Sequence, residues 1–227
     1  MEKMIFVNQK MYLDNINDIK KFQNETIDYK DKFIIFPSDI YLSNYISKGF
    51  TVGSQNISPE DSGAHTGQIS GKALKDLDVS YVMIGHYEVC KHYKEKCVRI
   101  QERINQAIKN NLKVVLCVGE NIEEKTNGQT KETIKRKLED LDLNENIIIS
   151  YEPVWSIGTD LTPTNEEIED IVNYIKTFKN VKVLYGGSVG PNNIDILNKI
   201  PNLNGFLLGS HALQSSNLKK IIEVVYK

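Results

Sequence analysis

Eight short apolar runs punctuate the chain: "MIFV" (4–7), "FIIF" (33–36), "FTVGS" (50–54), "YVMIG" (81–85), "VVLCVG" (114–119), "NIIIS" (146–150), "VKVLY" (181–185) and "GFLLG" (205–209). They are unbroken rather than alternating. That pattern suits parallel strands buried on both faces. Between the runs the apolar residues change period. Ile100, Ile104, Ala107 and Ile108 fall on one helical face, as do Ile168, Ile171, Val172 and Ile175, and Leu218, Ile221, Ile222 and Val225. Thr164 with Glu167 reads as a capping box at a helix start. The stretches after the second and third strands predict only short, weakly patterned helices.

Eight strand–helix units in 227 residues predict an α/β fold: one (β/α)8 barrel spanning 1–227 as a single domain, eight parallel strands ringed by helices. Such barrels usually take about 250 residues. An open doubly wound sheet is the alternative, weakened because no G-x-G-x-x-G follows the first strand.

Composition changes this picture little. With 40% apolar and 26% charged residues, the chain is of ordinary globular composition. A net charge of −2 leaves no footprint for nucleic acid. Three cysteines without short spacing point to thiols in a reducing compartment. No run reaches membrane-spanning length, and the start has no signal-peptide core. The expectation is a cytoplasmic protein with neither nucleic-acid nor membrane partners.

In a barrel, residues just past the strands converge on one rim, where the chemistry sits. Those residues are polar here: Asn8 and Lys10, His86 and Glu88, Glu120, Glu152, the turn Gly186-Gly187-Ser188, and Gly209-Ser210. Glu152 is the most telling. A carboxylate at the mouth of an isoleucine strand is costly unless it is paired or used. The "PVWSIGT" that follows is too apolar for an idle loop, yet its proline and glycine spoil a strand. "YGGSVG" (185–190) and "LLGSHAL" (207–213) place glycine and serine straight after adjacent strands, which favours a phosphate site. The alternative is a pair of tight turns. Lys10 would stabilise a phosphate or a developing oxyanion, unless it is simply a solvated lysine. His86 alone reads more readily as structural than as a general acid. His86, Cys90, His92 and Cys97 lie within twelve residues, but no thiol pair has zinc spacing, so no metal is expected.

Together these residues resemble the triosephosphate isomerase family. The likeness covers nearly the whole chain. It rests on "YEPVWSIGT" (151–159), together with "NQKM" (8–11), "GSQNIS" (53–58), "GAHTGQIS" (63–70), "IGHYE" (84–88), "CVGE" (117–120), "YGGSV" (185–189) and "GFLLG" (205–209). The resemblance implies interconversion of dihydroxyacetone phosphate and D-glyceraldehyde 3-phosphate, a step of glycolysis and gluconeogenesis, with no cofactor. It makes Glu152 the base and His86 a neutral electrophile, with Asn8 and Lys10 binding substrate and stabilising the enediolate. Gly158, Ser188, Gly209 and Ser210 would hold phosphate. Glu88 and Tyr87 would support the site, and 153–159 would close as a lid. These roles follow a general template for the family. It also implies a homodimer, with the long loop 53–70 entering the partner and its tip, His65 and Thr66, meeting the neighbouring site. Several positions depart from the family. Gln9 stands for a tryptophan, Val89 and Cys90 for two arginines, and Ser210 for a glycine. Tyr87 stands for a serine that touches the base in the open enzyme. A paralogue acting on a longer ketose phosphate and a non-catalytic phosphometabolite-binding barrel are the competing readings.

Overall fold

The computed structural model describes residues 3–92, 99–159 and 161–227, with the side chain of His92 left out. Eight strands form one parallel sheet: β1 (Met4–Asn8), β2 (Ile34–Phe36), β3 (Gly53–Ser54), β4 (Tyr81–Ile84), β5 (Lys113–Val118), β6 (Ile147–Tyr151), β7 (Lys182–Tyr185) and β8 (Gly205–Leu208). Their order is β2-β1-β8-β7-β6-β5-β4-β3. A parallel bridge between Ile35 and Val52 brings the two ends together. This is the expected (β/α)8 barrel. The weakest seam is the one with the shortest strand. The five-residue run 50–54 yields only two strand residues, Gly53 and Ser54, with Val52 joined to its neighbour by the single bridge.

Burial on both faces explains the unbroken apolar runs. Side chains alternate along each strand. Phe6, Phe36, Tyr81, Met83, Val115, Ile148, Leu184 and Leu207 fill the barrel interior. Their neighbours Ile5, Val7, Val82, Val114, Ile149 and Val183 pack outward under the helices. Phe6 and Tyr81 meet edge to face at 5.3 Å, the arrangement that ring quadrupoles favour.

The helices follow their patterns. Ile168, Ile171, Val172 and Ile175 are all buried in the helix Asn165–Phe178. Its start is the reciprocal capping box of Thr164 and Glu167, which satisfies two otherwise orphaned donors. The segments after β2 and β3 are short helices, Leu42–Ile46 and Gly71–Asp76. Among the described residues no helix is long and apolar enough to cross a membrane.

Candidate active site

The period of two that fills the barrel also builds its mouth. Phe6 faces inward, so Asn8, two residues on, does too. Ile148 faces inward, and so do Ser150 and Glu152 beyond it. These two strands thus exchange apolar for polar residues as they reach the rim.

Lys10 is the tightest corner. It has φ +49°, the left-handed region that costs a non-glycine residue on the order of 1 kcal/mol or more. Three hydrogen bonds hold it there. Its N–H donates to Asn8 Oδ1 at 2.9 Å. Its carbonyl accepts from Gln55 Nε2 at 2.8 Å and from Ser38 Oγ at 3.1 Å. The ammonium then reaches Glu88 Oε1 at 2.7 Å. Gln9 points the other way and is buried. Its amide exchanges hydrogen bonds with Tyr45 Oη at 2.7 and 3.0 Å, so this buried polar residue is satisfied.

His86 is 4% exposed and Glu152 5%. His86 Nε2 stands 3.4 Å from Glu152 Oε2. On the other side of the ring, Nδ1 accepts the Glu88 backbone N–H at 3.3 Å. In a neutral imidazole that acceptor role leaves the proton on Nε2, facing the site. Glu152 Oε1 is buried without a hydrogen-bond partner among the described residues. The seat under Glu152 needs glycine. A Cβ on Gly186 would lie 2.6 Å from Glu152 Cγ, and one on Gly119 would lie 1.8 Å from the Glu152 carbonyl oxygen. Below the carboxylate, burial first, and then the Glu152 charge, push the Cys117 thiol well up.

The segment after Glu152 turns through a 3-10 element, Val154–Ser156. Glu120, noted in the sequence only as a rim residue, anchors it. Its backbone carbonyl accepts from the Val154 N–H at 2.9 Å. Its Oε1 accepts from Trp155 Nε1 at 2.9 Å and from Tyr151 Oη at 3.3 Å. Burial raises the Glu120 carboxyl above the usual range, against the opposing pull of Trp155 and Tyr151.

Asn8, Lys10, His86, Glu152, Gly158, Ser188, Gly209 and Ser210 line one cavity. Glu88 stands behind Lys10. Tyr87 is half-buried, its ring 5.5 Å from that of His86, and desolvation raises its phenol. His65 and Thr66 are not brought to this cavity; both are exposed at the tip of the loop after β3. Of the residues weighed for zinc, Cys97 and the side chain of His92 lie outside the described residues. Among the described residues no group of three or more His, Cys, Asp or Glu could hold a metal ion.

A buried carboxylate and an imidazole in contact, with a lysine and glycine-rich turns lining the same cavity, are the groups that a barrel enzyme of the proton-transfer type requires. A family model described as triosephosphate isomerase matches residues 3–225. The chain is similar to the triosephosphate isomerase of Mycoplasmopsis agalactiae, at 36% identity over 99% of this chain and 97% of that one. It is similar to that of Wolbachia pipientis wMel at 37% identity, over 93% and 88% respectively. The crystal structure of triosephosphate isomerase from Bartonella henselae superimposes with a TM-score of 0.90 at 27% identity, covering both chains fully. The chain belongs to the triosephosphate isomerase family, and is an isomerase.

Proposed function

We propose that the chain interconverts dihydroxyacetone phosphate and D-glyceraldehyde 3-phosphate through an enediolate. The observation that carries this is the contact between His86 Nε2 and Glu152 Oε2 at 3.4 Å, in a cavity shared with Lys10 and the two glycine turns. Moving a proton between adjacent carbons needs a base, an electrophile for the developing oxyanion and a clamp on the unreactive end. Glu152 takes the proton from one carbon and returns it to the next. His86 donates from Nε2 to the oxygens as charge develops. Lys10 and Asn8 hold the substrate and stabilise the enediolate. Gly158, Ser188, Gly209 and Ser210 receive the phosphate. Glu88 orients Lys10 and His86, and Tyr87 flanks the ring. Closure of 153–159 expels water, which strengthens every charge interaction inside.

A coupled spectrophotometric assay on purified protein tests this. Turnover of glyceraldehyde 3-phosphate to dihydroxyacetone phosphate is expected. No turnover of either triose phosphate, with activity on a tetrulose phosphate, would contradict it.

The reading extends to assembly. The whole chain works as one domain, and two chains form a dimer through loop 53–70. The base of the loop is fastened: the Ser58 N–H donates to the Ile69 carbonyl at 2.8 Å, and Arg103 donates to Asn56 Oδ1 at 3.0 Å. Its tip is exposed. Beside it lies a cleft of about 560 Å³, lined by Lys10, Gln55, His86 and Glu88 among others, with Met11 81% exposed at its edge. A partner's Thr66 and His65 would fill that cleft. Sedimentation at micromolar concentration is expected to give a dimer; a fully active monomer would contradict it. The unpaired thiol of buried Cys117 supports a cytoplasmic location.

A further inference from the structure

Ser156 closes the 3-10 turn of the lid segment and is completely buried, at 0% exposure. Three groups meet its hydroxyl. The Leu161 carbonyl lies 2.5 Å away, Tyr185 Oη 3.3 Å, and the Ser188 backbone nitrogen 3.2 Å. A hydroxyl has one proton and two lone pairs. A carbonyl only accepts, so the serine proton goes to Leu161. An N–H only donates, so Ser188 takes one lone pair. Tyr185 then donates its own proton into the other. The hydroxyl is fully used, and it ties the lid segment to Leu161, to the tip of β7 and to the turn after it.

The turn's backbone N–H groups differ in what holds them. Gly186 donates to the Tyr151 carbonyl within the barrel at 2.9 Å. Gly190 donates to Asn193 Oδ1, three residues on, at 2.9 Å. Ser188 donates to a side chain on the lid. That partner is thirty-two residues away in the chain and sits on the segment that must rearrange if the lid closes.

We propose that Ser156 is a positioning residue, a latch whose Oγ competes with the substrate phosphate for the Ser188 N–H. This rests on the reading of the Ser188 turn as part of the phosphate site. Phosphate arrival displaces the serine oxygen, and the displaced serine frees the lid from the turn. Ligand binding and lid release are therefore one exchange of hydrogen bonds.

The sign of the effect separates this from a structural role. Loss of a merely structural hydroxyl would loosen the turn and weaken binding. Loss of a competitor strengthens it. Trp155, the only tryptophan in the chain, neighbours Ser156 and reports on the same turn. Its fluorescence is followed while inorganic phosphate is titrated into wild type, Ser156→Ala, Ser156→Cys and Gly209→Asp, and KM is measured for each active variant. Ser156→Ala is expected to bind phosphate about fivefold more tightly and to lower KM similarly, the worth of one neutral hydrogen bond. Ser156→Cys keeps the volume but offers a poor acceptor. It shifts the same way, and it decides the question if the alanine variant does not fold. Gly209→Asp is expected to abolish binding. Unchanged or weaker affinity in both serine variants, with Gly209→Asp inactive in binding, overturns the latch and leaves the phosphate site standing. Wild-type affinity in Gly209→Asp removes the phosphate site, and the latch with it.

Discussion

The two sides of the cavity are built on opposite plans. On the side of β1 and β4, Asn8, Lys10, Glu88 and His86 are joined in one chain of hydrogen bonds. Lys10 is held in a left-handed conformation by Asn8, Gln55 and Ser38, and His86 is gripped through the Glu88 N–H. On the side of β6 and β7, the segment after Glu152 hangs from two anchors, Glu120 and Ser156, and runs out to exposed Gly158 and Thr159. Groups proposed to meet the developing charge are fixed beforehand, which spares reorganisation during the reaction. Of the groups proposed to meet the phosphate, Gly158 is carried on that segment, and Ser188 lies in the turn to which the segment is hydrogen-bonded through Ser156. The difference assigns preorganisation to one wall and closure to the other.

The largest effect on this contrast is expected from moving the base itself. Glu152→Asp keeps the charge but draws it back by about one methylene. A displacement of that order costs about 100-fold in kcat, with ligand binding nearly unchanged. Near wild-type turnover in a steady-state assay would mean that the position of Glu152 does not matter. Next comes the fixed wall. Gln55→Ala removes the donor to the Lys10 and Phe36 carbonyls and leaves the lysine side chain in place. The expected loss is about tenfold in kcat, smaller than a full 1 Å displacement would give, with the circular dichroism spectrum unchanged. Full activity would show that Lys10 holds its conformation without the loop.

In both walls the sequence shows the polar groups of the site and hides what holds them. The strands were plain because parallel strands buried on both faces must be apolar throughout, and the helix at 165 was plain because Thr164 and Glu167 are only three residues apart. Asn8, Lys10, His86 and Glu152 stood out because polar residues there end apolar runs. The restraints behind them did not stand out. The left-handed backbone of Lys10 has no signature in the residues around it. Gln55 acts across forty-five residues, Tyr45 satisfies Gln9 across thirty-six, and Ser156 meets Ser188 across thirty-two. Local periodicity carries no information at that range. Glu120 was visible as a rim carboxylate, but its hold on Trp155 needs the fold.

The smallest effect concerns stability. Burial raises the Glu120 carboxyl above its usual value. The folded chain therefore holds that proton more tightly than the unfolded chain does. The contribution of this group to stability is fully present below the ordinary glutamate range and is lost as pH climbs from there through the raised value. Glu120→Gln keeps an acceptor for Trp155 and has no proton to lose. Thermal unfolding followed from acid to neutral pH is expected to show a flatter curve for the variant, which becomes the more stable form toward neutrality. Parallel curves would place the lid anchor outside this linkage.

The central claim is that Glu152 carries a proton between adjacent carbons, and solvent isotope exchange tests it most directly. Wild type and Glu152→Gln are incubated in heavy water with dihydroxyacetone phosphate, and deuterium next to the carbonyl is followed by proton NMR. Wild type is expected to wash deuterium into that carbon during turnover. Glu152→Gln is expected to fall by about 1,000-fold, within the range a general base contributes, while still binding phosphate. Exchange at a comparable rate in the variant, or isomerisation by wild type with no deuterium incorporated, would contradict the account.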